Sequence, residues 1–250
     1  MAQSNPFLKD LTSSDRRTRT TALDSLRTYL SSRSAFTSLD FLKLWKGLFF
    51  CLYMQDKPLH QQNLAQDLAD LTDVLKGDEN VLGWLRGFWV TMGREWGGID
   101  GLRMDKFLYL GFEVCGKKGW EEGFAERYSE VLGEVPFNVR DHKIPDGLRY
   151  HVLDLYVDEL EKADPHHKAP VVGKLLGPVK ALERDSLNKK VRERVRECLA
   201  DERLAEWSGG AAKEGVEANK SAANKGRGEQ EAANGAVPDE DDDEFGGFDD

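Results

Sequence analysis

The chain has 250 residues and a mass of 28.2 kDa, which is long enough to bury a sizeable hydrophobic core. Its 35 Lys and Arg residues against 45 Asp and Glu residues give a formal net charge of −10. Most of the acidic excess lies in residues 208–250, so the pI of 5.1 does not exclude RNA as a partner of the remaining chain.

Cysteine usage and hydropathy point to an intracellular, soluble protein. Three widely spaced cysteines do not fit a disulfide framework. The longest uninterrupted apolar run, residues 48–54, is far shorter than a membrane span, and the first residues lack the apolar segment of a signal peptide. We therefore expect no membrane partner and no secretion.

The first half of the chain contains three predicted helices. The first is indicated by the helical spacing of Leu11, Asp15, Arg19, Ala22, Leu26 and Leu30. Residues 39–54 are more apolar and predict a central helix packed on two sides. The third has leucines spaced by four, three and four residues, with Asp56 as its N-cap and Pro58 in its first turn: Leu64, Leu68, Leu71 and Leu75.

Further helices are predicted downstream. One covers residues 79–96 and ends at Gly97-Gly98, and the next runs from Asp100 to Gly116. Another begins at Pro145 and Asp146, and the last has an apolar face formed by Leu187, Val191, Val195, Cys198 and Leu199. No stretch alternates long enough for a β-strand. We predict an all-α body, and apolar helices paired through short turns favour an irregular HEAT-like α-solenoid over a helical bundle.

The composition changes sharply after Trp207. Residues 208–250 are rich in Gly, Ala and acidic residues and contain no Leu, Ile, Met, Trp or Tyr. Such a segment cannot bury enough apolar surface to offset its ordering entropy. We therefore predict a folded helical domain over residues 1–207 and a disordered acidic tail over residues 208–250.

No residue pattern indicates catalysis or a cofactor. Gly111 and Gly116-Lys117-Lys118 approach a phosphate-binding loop, but Lys118 stands where that loop needs Ser or Thr. Cys51 and Cys115 lie in apolar helical runs typical of buried cysteine, and the five histidines lack metal-ligand spacing. We predict no catalytic residue, no metal, no cofactor and no small-molecule substrate.

Two basic clusters are candidates for RNA binding. They are Arg16, Arg17 and Arg19 near the N-terminus, and Lys189, Lys190, Arg192, Arg194 and Arg196 on the last predicted helix. Contacts to phosphate depend mainly on the number of positive charges, which both clusters supply. A solvated helix face with interspersed acids is the alternative, and either cluster could serve as a nuclear import signal.

Aromatic and charged residues are dense between positions 84 and 112. Tryptophan and phenylalanine next to arginine can stack on bases or form a protein interface. They can equally fill a helical core while the charged side chains reach solvent, and this interpretation is favoured.

Four sequence blocks resemble the eukaryotic ribosomal RNA-processing protein 1 family of the nucleolus. They are residues 44–59 (LWKGLFFCLYMQDKPL), 86–96 (RGFWVTMGREW), 98–107 (GIDGLRMDKF) and 145–151 (PDGLRYH). The side chains that carry the resemblance are Trp45, Lys46, Asp56, Lys57, Pro58, Trp89, Arg94, Glu95, Trp96, Asp100, Arg103, Asp105 and Lys106. The resemblance covers most of residues 5–205 and leaves the acidic tail outside.

The resemblance implies a non-catalytic assembly factor of the large (60S) ribosomal subunit, required for processing of the rRNA precursor. It implies a nuclear, nucleolar location and a scaffold within pre-60S particles, with rRNA and other large-subunit assembly factors as partners. A purely protein-binding α-solenoid adaptor without RNA contact is the alternative within the same family.

Overall fold

A computed structural model describes residues 10–11, 13, 15–53, 58–98, 108–118, 120–167 and 170–207. In these ranges the chain is helical and has no β-strand, so the predicted all-α helical-repeat body is confirmed. The helices are α1 (Arg16–Ser32), α2 (Ser38–Tyr53), α3 (Pro58–Asp70), α4 (Asp78–Glu95), α5 (Leu108–Lys117), α6 (Glu122–Glu134), α7 (Asp146–Ala163), α8 (Val172–Leu175), α9 (Gly177–Asp185), α10 (Lys189–Leu199) and α11 (Arg203–Trp207). None of these helices is long and apolar enough to cross a membrane.

Most helix contacts join helices that are two or three positions apart in the order of the chain. Helix α2 packs on α4, α4 on α6, α3 on α5 and α5 on α7, and α10 then packs on both α7 and α9. Each helix therefore buries its apolar stripe mainly against helices close to it in sequence, as in helical-repeat proteins.

The contact between α2 and α4 depends on two glycines of α4. A Cβ atom on Gly83 would lie 2.6 Å from Phe41 Cε2, and one on Gly87 would lie 2.9 Å from Trp45 Cδ1. Trp45 Nε1 donates a hydrogen bond of 2.8 Å to the carbonyl oxygen of Trp84. The two missing side chains thus allow the aromatic rings of α2 to lie directly against the backbone of α4.

Helix α3 is shorter than the leucine spacing predicts. It ends at Asp70, and Leu71–Val74 form a 3₁₀ turn in which Leu71 is fully buried. The hydroxyl of Thr72 donates a 2.7 Å hydrogen bond to the carbonyl oxygen of Ala69, inside the last turn. Because a 3₁₀ turn is tighter than an α-helix, Leu71 and Leu75 still reach the core, although they no longer belong to one α-helical stripe.

The last short helix is attached to the end of α7 by charged groups. Arg203 forms ion pairs with Asp158 at 2.7 Å, Glu161 at 2.5 Å and Asp201 at 2.7 Å. Trp207 Nε1 donates a 2.8 Å hydrogen bond to Asp164 Oδ2. Helix α11 therefore packs against the preceding helices, while the acidic tail predicted for residues 208–250 lies outside the described residues.

Candidate RNA-binding surface

The larger predicted basic cluster lies on α10, whose apolar side is buried. Val191 and Val195 are fully buried, and the helix packs on α7 and α9. The prediction that Leu187 joins this apolar face is wrong, because its side chain is 91% exposed. The helix begins after its N-cap Asn188, so the backbone at Leu187 is not helical and the side chain projects into solvent.

A polar network fixes the beginning of α10. Asn188 Oδ1 accepts a 2.9 Å hydrogen bond from Lys190 N, and Asn188 Nδ2 donates one of 2.7 Å to Asp146 Oδ2. The other oxygen of Asp146 accepts a 2.6 Å hydrogen bond from the buried guanidinium of Arg149, which also donates to the carbonyl oxygen of Asn138 at 2.6 Å. The N-termini of α7 and α10 are thus held together, and the position of the basic helix is set by α7.

Sequence reasoning assigned no role to this network, although a signal was present. Asp146 and Arg149 stand three residues apart in the 145–151 block, the spacing that brings an acid and a base together on one helix face. Nothing in the sequence indicates that Asn188, far along the chain, supplies the third member. The link between these residues exists only in the fold.

Most cations of α10 lie beside acidic groups. The contacts are Lys189 with Glu193 at 3.4 Å, Arg194 with Asp154 at 3.2 Å and with Glu197 at 3.1 Å, Arg196 with Glu183 at 3.0 Å, and Arg192 Nη1 with the carbonyl oxygen of Ser186 at 2.6 Å. Lys190 is exposed, and no carboxylate of the described residues lies within ion-pair distance of it. Arg194 and Arg196 therefore connect α10 to α7 and α9 as well as facing solvent.

These ion pairs do not remove α10 from consideration as a phosphate-binding surface. Exposed ion pairs contribute only about 0–1 kcal/mol each, so a phosphate group can replace the carboxylate at little cost. They do reduce the net positive charge that α10 presents. RNA contact through Lys189, Lys190, Arg192, Arg194 and Arg196 stays a prediction.

The N-terminal basic cluster lies at the beginning of α1. Asp15 is the N-cap, and a hydrogen bond from Thr18 N to its side chain lowers the pKa of the Asp15 carboxyl. Arg17 is exposed, whereas Arg19 Nη1 donates a 2.7 Å hydrogen bond to the carbonyl oxygen of Ser13. The side chain of Arg16 lies outside the described residues. Helix α1 packs mainly on the Leu71–Val74 turn. Its main contact is therefore with that turn and not with α10, so the two basic clusters are not brought together by it.

The dense aromatic residues of α2 and α4 form the core. Trp45, Trp84, Phe88 and Trp89 are all buried. The rings of Trp45 and Trp84 have centroids 4.6 Å apart, and those of Trp45 and Phe88 lie 5.2 Å apart. The core interpretation, made for residues 84–112, is confirmed for Trp84, Phe88 and Trp89, which are not available to stack on RNA bases.

The remaining residues of the family blocks divide between surface and packing. Lys46 is exposed on α2, and Arg94 pairs with its neighbour Glu95 at 2.8 Å. Trp96 is partly buried, and a Cβ atom on Gly147 would lie 2.8 Å from its Nε1. The 86–96 and 145–151 blocks thus meet at a close contact that requires glycine at position 147. The side chains of Asp56, Lys57, Pro58, Asp100, Arg103, Asp105 and Lys106 lie outside the described residues.

The cysteines are buried side chains of the core. Burial raises the pKa of the thiols of Cys51, Cys115 and Cys198 to about 12. A thiol with that pKa carries almost no thiolate at neutral pH, so these groups are poor nucleophiles. Within the described ranges, no group of three or more His, Cys, Asp or Glu side chains could hold a metal ion.

Comparison with known proteins identifies relatives that support the resemblance. Ribosomal RNA processing protein 1 homolog B of Homo sapiens is 37% identical over 168 residues, which cover 62% of this chain and 22% of that protein. Homolog A of Mus musculus is 40% identical over 157 residues, covering 58% and 32%, and the Dictyostelium discoideum homolog is 29% identical over 207 residues, covering 71% and 42%. The chain therefore spans less than half the length of each of these relatives.

The Nop52 family model, described as nucleolar protein Nop52, matches residues 2–248. Its match covers nearly the whole chain, including the four blocks that carry the resemblance to the ribosomal RNA-processing protein 1 family. The resemblance is thereby confirmed, and the family match extends into residues 208–248, which the four blocks had left outside. The chain belongs to the Nop52 family of nucleolar proteins.

Proposed function

We propose that this chain acts in ribosomal RNA processing, as a non-catalytic assembly factor of the large (60S) ribosomal subunit in the nucleolus. The observation that carries the proposal is the match of the Nop52 family to residues 2–248. The names of the curated relatives, ribosomal RNA processing protein 1 homologs, point to the same process. The partners would be pre-60S particles, other large-subunit assembly factors and rRNA.

The architecture supports a scaffold. Helices that pack mainly on near neighbours in the chain leave several outward faces, which suits a protein that contacts several partners at once. The hydrogen-bond network of Asp146, the buried Arg149 and Asn188 links the beginning of α10 to the beginning of α7. A basic helix with a fixed position can select one arrangement of phosphates without a conformational change.

The second candidate is a protein-binding adaptor without direct RNA contact. It is favoured by one observation, the pairing of most α10 cations with acids of α7, α9 and α10 itself. In this case the same helices would contact assembly factors only. Ultraviolet crosslinking of the full chain in cells separates the two candidates, because RNA is recovered covalently attached only if it lies against the protein.

The function is tested by depleting the protein and following precursor rRNAs by northern hybridisation. We expect precursors of the large-subunit rRNAs to accumulate while small-subunit rRNA is made nearly normally. Re-expression of the full chain should restore processing. A normal large-subunit pathway after depletion, or a defect confined to the small subunit, would contradict the proposal.

A further inference from the structure

Helix α2 presents a stripe of four exposed side chains on the face opposite the core. Leu39 is 58% exposed and Phe50 is 47% exposed, and Lys43 and Lys46 lie exposed between them. The four positions are separated by four, three and four residues, so they lie along one side of the helix. The opposite side is buried, and it contains Phe41, Leu44, Trp45, Leu48 and Phe49. We call Leu39, Lys43, Lys46 and Phe50 the α2 stripe.

The two lysines of the α2 stripe form no direct ion pair with the described residues. No carboxylate in that part of the chain lies within 4.0 Å of the ammonium group of Lys43 or Lys46. Asp40, three positions before Lys43, attracts that lysine only at longer range, because its carboxylate accepts hydrogen bonds from Thr37 at 3.0 and 2.8 Å and pairs with Arg33 at 3.8 Å. The α2 stripe is therefore a positively charged surface with a large apolar side chain at each end.

The ring of Phe50, at one end of the stripe, contacts the core beneath it. The ring of Phe50 lies edge-on to the buried ring of Phe49, with centroids 5.6 Å apart and an interplanar angle of 78°. Helix α2 itself is anchored by the hydrogen bond from Trp45 to α4. Because the ring of Phe50 already packs on Phe49, a partner that covers it loses little binding free energy to ordering that side chain.

We propose that the α2 stripe is a docking site for an amphipathic helix of a partner protein, with acidic residues beside its apolar ones. Phe50 lies eleven positions after Leu39 on α2, a rise of about 16.5 Å, which corresponds to about three turns of a partner helix. The apolar ends would pack against apolar side chains of that helix, and the lysines would pair with its carboxylates. Charge complementarity thus specifies an acidic partner.

A protein explains the α2 stripe better than RNA does. Phosphates would satisfy Lys43 and Lys46, but an RNA backbone would leave the aliphatic side chain of Leu39 without a partner. A helix with acidic and apolar positions can pack on Leu39 and Phe50 at the two ends of the stripe and pair with the two lysines between them. The docking site goes beyond the proposed function, because it does not depend on RNA contact or on the stage of subunit assembly.

Site-specific crosslinking in cells tests the inference with the full chain. A photoreactive p-benzoylphenylalanine replaces Phe50, and in a matched control it replaces Leu187, an exposed apolar residue outside the stripe. Mass spectrometry then identifies the crosslinked peptides. We expect Phe50 to crosslink to a protein segment that is acidic and has helical apolar spacing, and Leu187 not to crosslink to that segment.

Charge reversal of the lysines provides the second measurement. Lys43→Glu with Lys46→Glu should lower the yield of the Phe50 crosslink by about tenfold, the reduction typical of disrupting the centre of an interface. Lys180→Glu, at an exposed lysine of α9, should leave the yield unchanged. Melting curves test whether each variant remains folded. If the charge-reversed variant does not fold, Lys43→Gln with Lys46→Gln is used in its place.

Several outcomes would overturn the docking site. They are the absence of any Phe50 crosslink, a crosslink to RNA, to a non-acidic segment or to residues 208–250 of the same chain, and a yield insensitive to the lysine changes. Northern analysis of precursor rRNA in the same cells is a separate measurement. Normal processing with a failed crosslink would refute the α2 site and leave the proposed function standing.

Discussion

Helices α10 and α2 both expose lysines, but their surroundings give these charges different roles. On α10 most cations contact carboxylates, including Asp154 on α7 and Glu183 on α9. On α2, neither Lys43 nor Lys46 forms a direct ion pair in the described part of the chain, Asp40 attracts Lys43 only at longer range, and large apolar side chains flank the two lysines. A high density of basic residues in sequence is therefore a poor measure of unpaired positive charge on the surface.

A docking site on the α2 stripe requires that α2 be firmly packed against the rest of the body. A substitution on the buried side of α2 tests this requirement. Trp45→Ala should destabilise the full chain by about 3–5 kcal/mol, since it removes a buried ring and leaves a cavity. The hydrogen bond to the Trp84 carbonyl is removed as well. Urea unfolding followed by tryptophan fluorescence and circular dichroism measures the change.

Lys46→Ala is the matched control, because it alters the adjacent residue on the exposed side of the same helix. Its effect should lie within about 0.5 kcal/mol of zero. Comparable destabilisation by the two variants would mean that the exposed side of α2 contributes to folding. The α2 stripe would then be a structural surface.

Charge reversal on each helix distinguishes an RNA surface from a protein surface. Lys190→Glu with Arg192→Glu should flatten the dependence of log RNA affinity on log salt by roughly 0.7–0.9 for every phosphate that the variant no longer binds. These positions are chosen because Arg194 and Arg196 also link α10 to neighbouring helices. Filter binding of the full chain to a large-subunit rRNA fragment, over a series of salt concentrations, measures the slope.

The corresponding change on α2, Lys43→Glu with Lys46→Glu, should leave the salt slope as it is in the unaltered chain. An unchanged slope for the α10 variant would identify that helix as a solvated surface. A slope that falls for the α2 variant instead would assign RNA binding to α2 and exchange the roles of the two helices.

The ion pairs of the C-terminal helices should make stability depend on acid pH. Hydrogen bonds from Arg203 lower the pKa of the Asp201 carboxyl below its usual value of 3.8. Since the folded-state pKa is the lower one, the contribution is present above about pH 4 and is lost as pH falls through the folded-state pKa.

Asp201→Asn should cost at most about 1 kcal/mol at pH 7, because the group is partly exposed and screened by solvent. The difference from the unaltered chain should shrink steadily below about pH 4, and thermal melting at several pH values measures it. A difference that stays constant with pH would mean that the Asn side chain disturbs packing and that the ion pair itself contributes nothing.

Much of the helical body could be predicted from sequence, because helical burial leaves a local periodic pattern. Leu26, Leu64 and Val191 occupy predicted apolar positions and are buried. The pattern fails where helices begin and end, since a stripe does not show whether the backbone is still helical. Leu187 continues the apolar spacing of α10, yet it precedes the N-cap and projects into solvent.

The candidate surfaces were less predictable than the fold. Counting basic residues identified α10, and the sequence also showed the acids interspersed on that helix, but it did not show that Asp154 of α7 and Glu183 of α9 pair with its arginines. The aromatic residues of α4 were open to two interpretations until burial placed them in the core. The exposure of Leu39 and Phe50 is also set by the tertiary structure. On a helix that is apolar on most sides, the sequence does not show which apolar residues face solvent.

The sequence by itself determined the helical class, the family and most of the residues that form the core, because each depends on residue order within one helix or one block. Only the tertiary structure decided which groups meet. It places Gly83 and Gly87 against the rings of α2, links Asn188 to Asp146, and pairs Arg196 with Glu183 while leaving Lys46 exposed. The physical reason is that local periodicity is set by neighbours along the chain, whereas close packing and charge pairing depend on which helices come together.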